Sequence, residues 1–424
     1  MKIIIKNGRV IDPASNTDSI LDILIEDDRI IQITKDIKVP DGTGVIDAKG
    51  CLVLPGLIDM HVHFREPGRE DIETIIGGSM VAAKSGFTSV CTMPNTNPVI
   101  DNQALVRFIK LEAENGPINV LPVATISKGL KGEEISEMGE LIKGGAVAFS
   151  DDGKPVSSSI LMRRALEYSR MFDVPLLVHA EDLLLTDEGI MNEGINSTML
   201  GLKGIPNESE EVMIARDVLL SHLTGGRLHI CHVSTRGAVQ IIRRAKKDGI
   251  KVTCETAPHY FSLTDDAVAK HLAMAKMKPP LRSEKDRLAI IEGLKDGTID
   301  AIATDHAPHS MNEKMQELAY APFGIIGLET AVPLIITKLV MENGFSYIDA
   351  FKKVTSIPAQ ILKLQSGELK PGALADISII NPDKKVIITE NFLLSKCKNT
   401  PFINSELYGS VEYTLKNGNI VYSQ

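Results

Sequence analysis

Apolar residues fall into two rhythms along the chain. Over residues 1–53 they come as short alternating runs, KIIIKNGRVID, ILDILIEDDRIIQI and GVIDAKGCLVLP, broken by Asn-Gly and Asp-Asp turn signals. The last stretch, from about 372 to 424, has the same texture in ADISIINPD, KKVIITE and SVEYTLKNGNIVYS. Alternation of this kind predicts half-buried strands, and two terminal segments of like style predict one small β domain built from both ends.

The middle, roughly 54–365, follows another pattern. Four short apolar runs open it: GLIDMHVH (56–63), TSVCTMP (88–94), NVLPVATIS (119–127) and AVAFSDD (146–152). Four more follow: PLLVHAE (175–181), RLHICHVS (227–234), KVTCETAPHY (251–260) and DAIATDHAP (300–308). Amphipathic stretches such as ETIIGGSMVAAKSG and STRGAVQIIRRAKKDG lie between most of them. Strands alternating with helices predict right-handed βαβ units and a parallel sheet. Eight such strands over about 250 residues fit a closed (β/α)8 TIM barrel, with an open doubly wound sheet as the alternative. The expected division is a barrel over 54–370 and a composite β-sandwich domain from 1–53 and 371–424. No low-complexity segment or short repeat interrupts this plan.

Length alone, at 424 residues, would favour two or three domains, but barrels are the exception to that scaling. A formal net charge of -9 argues against a nucleic-acid partner. The five cysteines are scattered, with no CxxC pair, and predict reduced thiols in a cytoplasmic protein. MKIIIKNGRVID has too short an apolar run for a signal peptide. No segment approaches the roughly 20 apolar residues of a membrane span, so no membrane partner is expected.

Reactive groups of a barrel collect at the C-terminal ends of its strands. His61 and His63 end the first predicted strand, Asp151 and Asp152 the fourth, His179 the fifth and His232 the sixth. Asp305, His306 and His309 follow the eighth. Residues at i and i+2 of a strand share a face, so His61 and His63 stand side by side. A lone His179 or His232 would read as a satisfied core histidine, and DDG alone as a turn. Their joint placement at strand ends, with apolar strand interiors, points instead to a metal site. Imidazoles and carboxylates without clustered thiolates are zinc-type ligands. Five or six of them exceed the needs of one catalytic ion and fit a pair bridged by a carboxylate, about 3.5–4 Å apart. Such a pair lowers the pKa of bound water from about 15.7 toward roughly 7. The implied chemistry is hydrolysis, or its reverse, at an amide-like carbon.

GLIDMHVHFREPG (56–68) resembles the signature of the cyclic amidohydrolases, and its FREPG ending that of the dihydroorotases. CTMPNTNP (91–98), AFSDDGKPV (148–156), LVHAED (177–182), HICHVST (229–235), ETAPHYFSLTD (255–265), IATDHAPH (302–309) and APFGIIGLET (321–330) agree in order, over about 370 residues. The chain is most similar to the bacterial type I dihydroorotases. That resemblance implies reversible cyclisation of N-carbamoyl-L-aspartate to (S)-dihydroorotate and water by a zinc-bound hydroxide, a step of de novo pyrimidine synthesis. It implies two Zn2+ ions: His61, His63 and Asp305 on one, His179 and His232 on the other, and a bridging carboxylate. The strand pattern leaves Asp151 and Asp152 open as that bridge; the family's ligand is the one next to glycine, hence Asp152.

The resemblance also makes Asp305 the proton shuttle. Arg65, placed beside His63 if the strand persists, would grip the substrate carboxylate with Asn95 and His309, while His63, Phe323 and Gly324 complete the substrate contacts. It further implies a homodimer, with aspartate transcarbamoylase as a candidate partner. MKPPLR departs from the family's MNPPLR and places Lys278 at a substrate-contacting position. In hydantoinases and allantoinases the bridge is usually a carboxylated lysine, and AVAFSDDG offers none. That disfavours the first alternative, another cyclic amidase; filled ligand positions disfavour the second, an inactive scaffold for aspartate transcarbamoylase. The acidic start within 201–220 reads as a solvated helix face, and His222, His229 and His271 as structural histidines.

Overall fold

The computed structural model describes residues 2–39 and 42–424; Met1, Pro40 and Asp41 lie outside it. The N-terminal runs form strands β1 (Lys2–Asp12), β2 (Thr17–Glu26), β3 (Arg29–Thr34), β4 (Gly44–Asp47) and β5 (Leu52–Pro55). The barrel strands are β6 (Leu57–Val62), β7 (Phe87–Thr92), β8 (Asn119–Ala124), β9 (Ala148–Ser150) and β10 (Leu176–Val178), then, beyond a short ribbon of β11 (Met191–Asn192) and β12 (Gly204–Ile205), β13 (Leu228–Ile230), β14 (Val252–Thr256) and β15 (Ala301–Ile302). The chain ends in β16 (Ile377–Ile387), β17 (Glu406–Lys416) and β18 (Asn419–Ser423).

All eight barrel strands pair in parallel in the order β15-β14-β13-β10-β9-β8-β7-β6. A parallel bridge from Val62 to His306, reinforced by His63 N donating to His306 O at 2.9 Å, closes the ring. This is the TIM barrel that the strand–helix alternation predicts. The predicted helices start where capping side chains stand. Thr74 Oγ1 accepts from Gly77 N at the head of helix Ile75–Lys84, and Thr235 Oγ1 from Ala238 N at the head of Arg236–Lys247. Met60, Cys91, Val123, Ala148, Leu177 and Ala301 pack in the interior with Ile361 and Leu362. Those two belong to helix Ser356–Leu362, and Ile361 O accepts from Arg227 at the start of β13, so this helix plugs the end opposite the reactive groups.

The strands are shorter than the apolar runs. KVTCETAPHY is strand only to Thr256, because Pro258 opens a short helix, Pro258–Ser262. Strand interiors are also not uniformly apolar. Asp59, His229 and Glu255 are fully buried within β6, β13 and β14. Asp59 is tolerated because it accepts from the backbone N–H of His61 and Thr304, and burial pushes it up to about 7.

Both chain ends share one sheet, ordered β18-β17-β16-β5-β1-β2-β3, with β4 beside β1. β5 is the seam: it runs parallel to β1 and antiparallel to β16, Ile377 facing Pro55 and Ile380 facing Leu52. The Asn417-Gly418 turn between β17 and β18 has positive φ at both residues, the conformation a tight two-residue hairpin requires. Residues from both ends, including Ile5, Ile23, Val53, Ile377 and Leu415, form the apolar core of this sheet.

Candidate metal centre

Except for His61, the reactive side chains stand just past the strand ends rather than within them. His61 lies in β6; His63 follows it by one residue, Asp152 follows β9 by two, His179 follows β10 by one, His232 follows β13 by two, and Asp305 follows β15 by three. His232 and Asp305 have left-handed backbones, φ 37° and 49°, a conformation that non-glycine residues hold mainly where surroundings enforce it. Glu210 supplies part of that enforcement at His232. Its buried carboxylate accepts from the N–H of Ser234 at 3.0 Å and of Thr235 at 3.3 Å, and from the Ser234 hydroxyl. The acidic start of helix Glu208–Thr224 is therefore not only a solvated face: Glu210 points inward and faces buried Arg282.

Around Asp152 the groups fall into two sets. Its Oδ2 is 3.5 Å from Nε2 of both His61 and His63; its Oδ1 is 3.5 Å from His179 Nδ1 and 3.2 Å from His232 Nε2. Asp305 Oδ1 completes the first set, 3.5 Å from His61 and 3.2 Å from His63. In the second, His179 Nδ1 and His232 Nε2 are 3.0 Å apart. Asp151 turns to the other side, where it accepts from Ile126 N, Ser127 N and the Ser127 hydroxyl.

The donor set fits divalent ions. Four ligands placed tetrahedrally at about 2.1 Å from zinc lie roughly 3.4 Å from one another, and the spacings here run from 3.0 to 3.5 Å. His61 Nε2 is buried with no hydrogen-bond partner among the described residues, although it faces two carboxylates. The ligating atoms of His61, His63 and Asp305 lie within 4.8 Å of one another, as do those of His61, Asp152 and His232. The electrostatics calls for positive charge. Burial opposes ionisation throughout, yet Asp152, beside His61, His179 and His232, is held well below the usual carboxylate range. Against the same burial, Asp152 and Asp305 raise His61, and Asp152 with Glu181 raises His179 to about 9. His63 goes the other way, lowered by burial and by Arg65.

Each of three candidate-ligand imidazoles is fixed through its far nitrogen. His61 Nδ1 donates to Glu255 at 3.0 Å, His63 Nδ1 to Asn95 Oδ1 at 2.9 Å, and His179 Nε2 to Glu181 at 3.1 Å. Such partners set the tautomer, so that the near nitrogen presents its lone pair. Glu255 and Glu181 were not among the residues that strand-end reasoning selects. The signal for both was there: a glutamate just past a ligand histidine in LVHAED, and one buried in an apolar strand in VTCET. His229, structural by position, backs Glu255 at 3.2 Å.

The centre opens into a cleft of about 410 Å³ lined by His63, Arg65, Asn95, Lys278, His309 and Phe323 among others, within the roughly 300–1,000 Å³ of ligand sites. Arg65 arrives differently from the expected strand alternation. The strand stops at Val62, and Arg65 sits in a left-handed turn, φ 64°, its guanidinium donating to Pro308 O at 3.1 Å and His309 Nε2 at 3.2 Å. His309 can accept because burial and then Arg65 push it down to about 3, leaving the ring neutral. Gly324 is required as glycine: at φ 146° a Cβ would meet the His309 ring at 2.7 Å. Phe323 lies beneath Lys276 and Lys278, whose ammonium groups stand 4.4 and 5.2 Å from its ring centre. His306 is turned from the cleft: its Nδ1 accepts from Gly327 N and Leu328 N. His222 is exposed on its helix and His271 half-buried, both outside the centre.

Known proteins resemble this chain over its whole length. A family model described as Dihydro-orotase-like matches residues 50–238. The dihydroorotase of Acetivibrio thermocellus is 53% identical over 422 residues, covering 99% of this chain and 98% of that protein. That of Geotalea daltonii is 53% identical over 426 residues, covering all of both. Among solved structures, the L-hydantoinase (dihydropyrimidinase) of Arthrobacter aurescens superposes with TM-score 0.90 at 25% identity, covering 99% of this chain and 96% of its own. The dihydropyrimidinase of Brevibacillus agri, at 22% identity and TM-score 0.87, shares the fold.

Proposed function

The chain belongs to the dihydroorotase family, and from that premise we propose how its residues carry out the reversible cyclisation of N-carbamoyl-L-aspartate to dihydroorotate and water. In this reading residues 54–370 form the catalytic body, and 1–53 with 371–424 its companion β domain. His61, His63 and Asp305 would hold one zinc ion and His179 and His232 a second, with Asp152 placed to serve both. The observation that carries the two-ion reading is the division of Asp152, whose two carboxylate oxygens face two different histidine pairs. Ions held there would polarise the ring amide carbonyl and acidify the attacking water.

Asp305 moves the proton. Burial opposes its ionisation, but His61 and His63 hold it below the usual carboxylate range, so it is a base at neutral pH. During hydrolysis it takes the proton of the attacking water and delivers it to the ring nitrogen as the C–N bond breaks. During cyclisation it takes the ureido proton as that nitrogen attacks the carboxyl carbon, and passes it to the hydroxyl of the acid group, which departs as water. Arg65 and His309, already paired, with the amide N–H of Asn95, hold the carboxylate that does not react. Phe323 and Gly324 form the wall against which the ring lies.

Replacing Asp305 by Asn tests the assignment. Turnover should fall about 10²–10⁴-fold in both directions, the range of a lost acid–base group, while part of the bound metal is retained. Near-normal turnover would remove Asp305 from this role.

A further inference from the structure

The far-nitrogen partners of the ligand histidines end in different places. Behind His61, Glu255 leads to His229 and then to Thr253 at 2.8 Å, inside the barrel. Behind His179, Glu181 uses its second oxygen to accept from Thr186 at 2.7 Å and to pair with Lys278 Nζ at 2.8 Å. The Lys278 side chain is 26% exposed, against 2% for Glu255, and lines the cleft. His61 is thus oriented by a sealed chain of groups, and His179 by a chain that ends in a partly exposed cation at the cleft wall.

We propose that Lys278 is a positioning residue of the His179–His232 ion site: by holding Glu181 it orients His179, and so sets how tightly that ion is bound without altering the His61–His63–Asp305 side. The proposal rests on the two-ion reading above. Its physical content is the orientation of one imidazole. Glu181 must aim one oxygen along the His179 Nε2–H bond, and the ammonium and the Thr186 hydroxyl fix the other oxygen. Without the ammonium the carboxylate keeps only the hydroxyl, turns more freely, and loses the nearby charge that stabilises it. Losing such an outer partner typically weakens metal binding about 10–100-fold. A lysine keeps three donors, so a direct substrate contact is the rival role for the same side chain.

Metal titration separates the two. Metal-stripped, full-length wild type, K278M, K278R and E255Q are titrated with zinc against a chromophoric chelator, with ions per chain counted by elemental analysis. Wild type should bind two ions. In K278M one should bind within twofold of wild type and the other about 10-fold or more weakly; K278R should recover most of that loss. E255Q should weaken the opposite ion. At saturating zinc the KM of K278M for dihydroorotate should stay within twofold of wild type. Equal affinities in K278M and wild type, equal weakening of both ions, or a raised KM at saturating zinc would each overturn the proposal while leaving the two-ion reading intact. Wild-type protein that takes up a single ion overturns the reading beneath it, a result visible before any variant is compared.

Discussion

Arg65 reaches the cleft by a route that strand periodicity does not describe. Its left-handed turn and two hydrogen bonds to the segment after β15 hold the guanidinium beside His309, where burial lowers it to about 10, still charged at neutral pH. In the proposed reading, Arg65→Ala would remove a charge-assisted contact to a ground-state carboxylate, worth about 1.5–3 kcal/mol. The apparent KM for dihydroorotate should rise roughly 10–100-fold with a smaller change in kcat; steady-state kinetics reads this, and an unchanged KM would place Arg65 off the substrate. At this scale the sequence was informative about which residue types gather but not about their facing. Asp151 and Asp152 are neighbours of one type, and only their hydrogen bonds show that one braces a loop while the other stands among four imidazoles.

At the scale of elements, apolar runs located every barrel strand, because each must bury both faces between core and helices. They overran the strand ends, since residues past those ends stay buried and keep one backbone bond to the next strand, as Ala303 N does to Thr256 O and Val233 N to Glu255 O. Polar residues buried for support were the part that pattern missed. Glu210 sits on a helix whose other first-turn acids are less buried, and its inward direction depends on Ser234 and Arg282 from distant elements. Glu210→Ala would leave Arg282 buried with its nearest carboxylate gone, and remove the acceptor of four donors after His232. Loss of a buried ion pair's partner costs about 3–5 kcal/mol. Chemical denaturation should show that loss, together with weaker metal retention; a change under about 1 kcal/mol would mean Glu210 does not anchor this loop.

Across the whole molecule, the terminal sheet was legible as texture, but its seam was not. Which strand of one end meets which of the other is decided by β5 lying between β1 and β16, a pairing across more than 300 residues of chain that no local pattern encodes. No described helix is long and apolar enough to cross a membrane. The buried neutral histidines give the molecule a pH signature. Burial pushes His306 down to about 3 and His259 to about 4, from an ordinary value near 6.5. As pH falls the unfolded chain takes up these protons first, so stability present above about 6.5 is lost progressively toward those lower values. Each group contributes a slope of about 1.4 kcal/mol per pH unit in that window. In His306→Gln the difference in unfolding free energy between pH 6 and pH 5 should shrink by about that amount; an unchanged slope would mean His306 is not held neutral by the fold.

The central claim is that this barrel mouth is a two-metal site working on the dihydroorotate ring. Zinc content and turnover, measured on one preparation with dihydroorotate, hydantoin and allantoin in parallel, test it most directly. About two zinc ions per chain and hydrolysis of dihydroorotate alone, lost on chelation and restored by zinc, is the predicted result. Metal-free protein with undiminished turnover, or preferential turnover of hydantoin or allantoin, would contradict it.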